Sequence, residues 1–573
     1  MTGKRQQVVG VDFGTSSVRA VIIEANTGRE IASGEAGFAR WDRGDYCDAA
    51  EAQFRQHPAE QIESMVAAVS SAVAADPERG RNVVGICVDT TGSTPCAVDA
   101  QGLPLSLGRE FADDPDAMSI MWKDHTAVAE AAEITERARK VGRDRAGERD
   151  RASERGGEDF LRYCGGEYSA EWFWAKILHV ERSNPVVAEH AAGWLEHCDW
   201  MPALMCGSQL PVAQIARGAC GTGHKALWNP AFGGYPPEEF FGSIDPVLAA
   251  IRRRLPAGVV TSDTMVGTLS AAWAGKLGLP QGIAVAAGLF DAHAGALGAG
   301  VRPGTVVKVM GTSSAEMIVA PAATIGDHAI AGIESQAHGS MIPGMVGIEA
   351  GQSAFGDVYA WFRDLLGWAM TAEAGVVAKT GGGAAGAATG DQDDLMERII
   401  PRLSELAAAL PVSERDPVAT DWFNGRRAPY ANHGVRAAIA GLTLGTTAPQ
   451  LFKALVEATA FGTRAIHDLL RAERVPIERV VAVGGIPRKA PYVMQTLADV
   501  LETPVLVSEA VNGSARGAAI MAAVAAGLHP NTEAAIAAMA APTSTEYLPR
   551  AAHREVYRTR FAAYQALGRF SEG

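Results

Sequence analysis

The chain has 573 residues, 47% hydrophobic and 20% charged, so core-forming material is plentiful and wholesale disorder is excluded. At about 100–200 residues per domain, that length predicts two to four domains. Lys and Arg number 51 against 65 Asp and Glu, a net charge of −14, which argues against coating a nucleic-acid backbone but leaves room for a local basic site holding one nucleotide. The seven cysteines (47, 87, 96, 164, 198, 206, 220) form an odd set with no CxxC pair. That fits neither a disulfide scaffold nor a zinc ribbon, and it points to a reducing, cytoplasmic setting. No apolar run reaches the roughly 18 residues of a membrane span, and the first residues lead into a strand rather than a signal segment.

In chain order, 8–11 and 18–24 read as apolar strands joined by the turn Asp12-Phe13-Gly14-Thr15-Ser16-Ser17, and 31–38 adds a third strand after Gly28. This is a meander, not a strand–turn–helix unit. Residues 83–89 form a buried-type strand running into Asp89-Thr90-Thr91-Gly92-Ser93-Thr94, and 127–139 and 172–180 carry helical spacing. Residues 133–159 hold eight basic and eight acidic side chains; the charges cancel, which reads as a solvated helix or loop. The Gly- and Ala-rich stretch 376–395 reads as a surface connection or helix end.

A second half begins near residue 281. There 283–287 is a strand, 288–293 a turn and 294–299 a small-residue helix. The strand 306–310, the turn Gly311-Thr312-Ser313-Ser314 and the strand 315–320 then repeat the pattern of residues 8–24. One strand–GTSS–strand unit in each half is the expectation for two similar α/β domains facing each other across a cleft. Strand 480–483, the turn 484–486, helix 491–501, strand 505–507 and helix 514–528 complete the pattern.

The two GTSS turns offer successive backbone N–H groups and hydroxyls, which suit phosphate oxygens. One such turn alone reads more simply as a hairpin loop; two in corresponding places favour a shared phosphate clamp. Neither GxxxxGK[ST] nor a GxGxxG after the first strand is present. Asp12, at a strand end, is either a Mg²⁺ carboxylate or a turn acceptor. Asp291, before a helix, is either an N-cap or a general base acting on an attacking hydroxyl. Gly484-Gly485 is either a plain turn or a close approach to a planar ligand. Glu349, in Glu-Ala-Gly-Gln-Ser, reads as a ligand-facing turn or a cap, and Lys225, flanked by glycines, is either solvated or held toward a cleft. Trp122-Lys123-Asp124-His125 is either a sugar-gripping cluster or partly core, and the spacing of His125, His224 and His293 suggests no metal site.

Taken together, VGVDFGTSSVRA (9–20), RWDRGDYCDA (40–49), QFRQHP (53–58), VDTTGSTP (88–95), WKDHTAV (122–128), YSAEWFWAKILHV (168–180), GHKALW (223–228), FDAHAGALGAG (290–300), KVMGTSS (308–314), GIEAGQSAFGDVYAWF (347–362), DWFNGRR (421–427) and VGGIPRK (483–489) resemble the FGGY family of carbohydrate kinases, within the actin-like ATPase superfamily. The WKDHTA and EAGQSAFGD segments resemble those members that act on L-ribulose. The resemblance implies an α/β fold of two actin-like (ribonuclease H-like) domains, 1–285 and 286–573, with the active site in the cleft between them. It implies ATP and Mg²⁺, a small ketopentose substrate, and neither nucleic acid nor membrane as partner; family members often form homodimers.

The resemblance also implies roles. Asp12 would hold Mg²⁺, with Gly14, Thr15 and Ser16 near the β- and γ-phosphates and Gly311, Thr312 and Ser313 forming the second phosphate loop. Gly484, Gly485, Arg488 and Lys489 would border the adenosine. Asp291 would be the catalytic base, and Gly92, Lys225 and Glu349 would line the sugar site with it. Pro487 and Ala490 depart from the pattern at the adenosine turn. Rival readings are a kinase for another ketopentose or polyol (D-ribulose, xylulose, ribitol, glycerol) and a non-catalytic sugar- and nucleotide-binding regulator; the retention of both Asp12 and Asp291 speaks against the latter.

Overall fold

The computed structural model describes residues 6–148, 159–207, 210–256, 258–373 and 390–573. Most of the charge-dense stretch beyond Glu148, and 374–389 of the Gly-rich stretch, lie outside the described residues.

The first sheet grows from the opening meander: β1 (Gln7–Phe13), β2 (Ser17–Glu24) and β3 (Glu30–Gly37) pair antiparallel in sequence order. β4 (Val83–Thr90) then lies parallel to β1 on its other side. Beyond it come β5 (Met265–Thr268) and β6 (Ala284–Ala286), with the sheet order β5-β6-β4-β1-β2-β3. Every residue of β1 is buried, as its near-continuous apolar run requires of a strand covered on both faces.

The second sheet repeats this plan. β8 (Gly304–Met310), β9 (Ser314–Pro321) and β11 (Met345–Gln352) form an antiparallel trio, and β12 (Ile477–Val483) and β13 (Val505–Ser508) add on parallel to β8. β10 (Ser335–His338) and β14 (Thr543–Tyr547) close the two edges. The order β11-β9-β8-β12-β13 matches β3-β2-β1-β4-β6 strand for strand, so the internal echo of the sequence is a repeat of topology. These are two α/β units of the actin-like kind, with a cleft between them.

Three local expectations need correction. Residues 288–293 are not one turn: β7 (Leu289–Phe290) pairs parallel with β4, and a helix starts at Asp291. Glu349 to Gln352 is the last half of β11 rather than a turn. Gly485–Lys489 is a short helix, with only Gly484 acting as the turn.

The layer between the sheets is made of small residues. The helices Asp291–Gly298 (α1) and Gly513–Ala525 (α2) cross at glycines, where a Cβ on Gly517 would lie 1.8 Å from the Ala294 carbonyl oxygen. α2 also rides on the first sheet: a Cβ on Gly10 would sit 1.7 Å from the Ala515 oxygen. Such close backbone approach is open only to glycine. It explains why these helices read as Ala/Gly runs, and it brings the far end of the chain onto the first sheet. All seven cysteines are free thiols, and no helix among the described residues is long and apolar enough to cross a membrane.

Candidate active site

Ligands of open α/β sheets gather at the carboxyl ends of parallel strands. In the first sheet, the ends of β1, β4 and β7 bring together three carboxylates. Asp12 and Asp89 are register partners across β1 and β4, and Leu289, two residues before Asp291, is the register partner of Asp89 on the other side. Asp89 is fully buried, and among the described residues its carboxyl has no partner besides the Asp12 carboxyl beside it. Burial first, and then the charge of Asp12, raise its carboxyl well above the usual range. Asp12 is raised mainly by burial, against the side-chain hydrogen bond it shares with Asp89 and the charge of Arg19, whose Nη1 lies 3.7 Å away. Asp291 opens α1, and its Oδ1 accepts the Ala292 N–H at 2.6 Å. Burial, and then Asp12, push it up to about 7. Clustered hard carboxylate oxygens that crowd one another in this way suit a small divalent cation such as Mg²⁺.

Beside Asp291 lies a polar pocket made by both halves. Lys225 ends the helix Ala219–Lys225, and its Nζ donates to Glu349 Oε2 at 3.0 Å while lying 5.1 Å from the Trp172 ring centre. Glu349 Oε2 also accepts from Ser335 Oγ at 2.9 Å. Burial opposes both charges. Each nevertheless stabilises the other, so the Glu349 carboxyl is held far below its ordinary value and the Lys225 ammonium above its own. His224 and His293 stack at 4.5 Å with ring planes 20° apart, and with Glu349 they offer ligand atoms within 4.8 Å of one another. Both His224 nitrogens are engaged by the hydroxyls of Ser335 and Ser340, and near-parallel rings aim their lone pairs side by side rather than at one point. The trio therefore shapes the pocket. Glu334, raised to about 7 chiefly by burial, faces Arg427 Nη1 at 3.8 Å on the same wall. Gly92 follows the end of β4, and a Cβ there would lie 2.1 Å from the Phe290 ring, next to Asp291.

The two GTSS turns are both tight hairpins, with Gly14 N–H to Ser17 O and Gly311 N–H to Ser313 O at 3.0 Å. Trp122 Nε1 donates to Thr15 Oγ1 at 3.0 Å, so the Trp-Lys-Asp-His segment borders the first turn, where Ser16 is exposed. In the second turn the carbonyls are already taken. Gly311 O accepts from Gly356 N at 3.0 Å, and Thr312 O accepts from Phe355 N at 2.8 Å and Asp357 N at 3.2 Å. The start of the helix Gly356–Glu373 thus fixes the turn through its carbonyls, while the Gly311 N–H is spent within the turn on Ser313 O. Gly484 lies against this turn with φ +117°, and a Cβ there would lie 2.5 Å from the Met310 oxygen.

Next to the second turn opens a cavity of about 720 Å³, walled by Gly311, Tyr359, Pro401, Phe452, Ile486 and Lys489 among others. Its apolar and aromatic faces suit a planar ligand. Gly485 and Lys489 line it; Arg488 instead donates to the Ala510 carbonyl oxygen. Sequence reasoning weighed His224 and His293 only as metal ligands, and did not single out Asp89, Glu334, Arg427, or the helix Gly390–Ala408 that supplies Pro401. Only Asp89 carried a usable signal, being a strand-end acid like Asp12.

The chain is similar along its whole length to known proteins. The sequence profile of the FGGY family of carbohydrate kinases, C-terminal domain, matches residues 306–526. A ribulokinase of Vibrio parahaemolyticus is 44% identical over 572 residues, covering 99% of this chain and 96% of that protein. A ribulokinase of Halalkalibacterium halodurans is 32% identical, covering 98% and 94%. Among solved structures, xylulose kinase from Rhodospirillum rubrum superposes with a TM-score of 0.73 at 22% identity, covering 98% of each chain. With that likeness laid over two matching α/β units, each carrying a GTSS turn, and a cluster of strand-end carboxylates, the chain belongs to the FGGY family of carbohydrate kinases.

Proposed function

We propose that this kinase transfers the γ-phosphoryl group of ATP to the terminal hydroxyl of L-ribulose, giving ADP and L-ribulose 5-phosphate. The observation that carries the reading is the placement of Asp291, raised to about 7, between the Asp12–Asp89 pair and the Lys225–Glu349 pocket. A base poised near neutral pH can hold the sugar hydroxyl and take its proton as the oxygen moves in line. Lys225, Glu349 and Gly92 line the ketopentose site, with the charged pair available to the carbonyl and hydroxyls. The turns 14–16 and 311–313 cradle the phosphates, and the cavity beside Lys489 takes the adenosine. Asp12, backed by Asp89, would hold Mg²⁺, which neutralises phosphate charge when bound. The division into 1–285 and 286–573 belongs to the same reading, the second sheet beginning at Gly304.

The substrate assignment draws support from the two relatives named ribulokinase. Its test is ADP release with Mg²⁺-ATP across L-ribulose, D-ribulose, L-xylulose, D-xylulose, ribitol and glycerol. The highest kcat/KM is expected with L-ribulose. A higher value for D-xylulose or glycerol would overturn the substrate while keeping the kinase.

A further inference from the structure

Directly behind the second GTSS turn lies a buried polar chain. Lys308, wholly enclosed three residues before the turn begins, donates to Ser314 Oγ at 2.9 Å, Glu316 Oε1 at 2.8 Å and Gln352 Oε1 at 3.1 Å, using all three of its N–H bonds. Ser314 is the last residue of the turn. Gln352 Nε2 passes the chain on to Asp421 Oδ2 at 2.7 Å, and Asp421 Oδ1 accepts from Tyr564 Oη at 2.7 Å, on the C-terminal helix Arg554–Glu572. The other oxygen of Glu316 meets His467 at 3.0 Å. Burial opposes the Glu316 charge, yet Lys308 and His467 hold its carboxyl down to about 2.

A buried ion pair is a poor source of stability, because desolvation offsets the attraction; its attested use is to fix one geometry. We propose that Lys308 is a positioning residue of the nucleotide site: through Ser314 and Gln352 it sets the 311–314 turn against β11 and ties that turn to the C-terminal helix through Asp421 and Tyr564. This inference rests on reading 311–313 as a phosphate loop. Lys308 itself touches no ligand; it acts through the turn.

The test is calorimetric titration of the full-length protein with MgADP, set beside KM for the sugar. Lys308→Met alone would strand the Glu316 charge, so the informative variant is Lys308→Met/Glu316→Gln, which removes both charges. It should weaken MgADP about tenfold and leave the sugar KM within about twofold, and Ser314→Ala should weaken MgADP about threefold. Equal losses for nucleotide and sugar, or an unchanged MgADP affinity, would overturn the proposal. Should the double variant fail to fold, Ser314→Ala and Tyr564→Phe decide the question by the same readout. Gly311→Asp tests the underlying reading, since a carboxylate on the turn should abolish MgADP binding. If it does and the Lys308 variants bind normally, the positioning role alone fails; if it does not, the phosphate loop has been misassigned.

Discussion

Asp12 and Asp89 occupy paired positions on adjacent parallel strands, and both side chains are buried at the floor of the cleft. Two enclosed carboxylates side by side cannot both ionise cheaply without a cation between them. Asp89→Asn keeps the shape and removes one ionisable group, so the folded protein without Mg²⁺ should lose no stability at pH 7. The expected loss is in cation dependence, with the Mg²⁺ concentration for half-maximal turnover rising severalfold. Thermal melts with a Mg²⁺ titration of activity check both halves, and an unchanged titration would reduce Asp89 to packing.

The carboxyl of Asp291 predicts opposite trends for activity and stability. Its folded value of about 7 lies above the ordinary 3.8 because burial, and then Asp12, disfavour the charge. The native state therefore binds more protons than the unfolded chain between about pH 4 and 7. This group's contribution to stability accordingly falls as pH rises through that window. Activity follows the ionised form, so kcat/KM should drop below about pH 7. Asp291→Asn should retain sugar binding, lose at least about a hundredfold in kcat, and melt higher than the parent at pH 8 without Mg²⁺. A variant with near-normal turnover would remove Asp291 from the base role.

How much of this was legible beforehand depends on how local each signal is. The GTSS turns, the strand-end acids Asp12 and Asp291, and the meander were readable because each is written in consecutive residues. Lys225 and Glu349 are 124 positions apart, and no spacing rule joins them; the likeness to a family supplied that link. Glu349 was expected in a turn because Ala350 and Gly351 are small. Those residues are small because β11 is crowded, a Cβ on Gly351 lying 2.3 Å from the Ser314 oxygen. The apolar cavity escaped notice because its walls come from separate helices that each read as ordinary core.

The Lys225–Glu349 pair separates binding from folding. Lys225→Met leaves the Glu349 charge enclosed among Ser335, His224 and His293, and should cost about 3–5 kcal/mol of stability. Lys225→Met/Glu349→Gln should recover most of that loss, yet sugar KM should stay raised at least about tenfold in both variants. Denaturant melts and steady-state kinetics on the two proteins give the comparison. Recovery of sugar KM in the double variant would show that the charges serve the fold rather than the ligand.

Gly92 links backbone shape to the proposed base through Phe290. A methyl group at this position would overlap the Phe290 ring at 2.1–2.4 Å, and Phe290 immediately precedes Asp291. The ring is enclosed, so Gly92→Ala must displace either the 91–94 loop or the strand end that leads into Asp291. Overpacking of this kind costs about 1–3 kcal/mol, and a shift of the base by an ångström costs roughly a hundredfold in rate. The expected result is a modest fall in melting temperature with a large fall in kcat. Phe290→Leu, placed in the Gly92→Ala background, makes room for the methyl group and should restore stability and part of the turnover. Restored stability with no gain in turnover would mean that the ring itself, rather than the position of Asp291, is what the reaction needs.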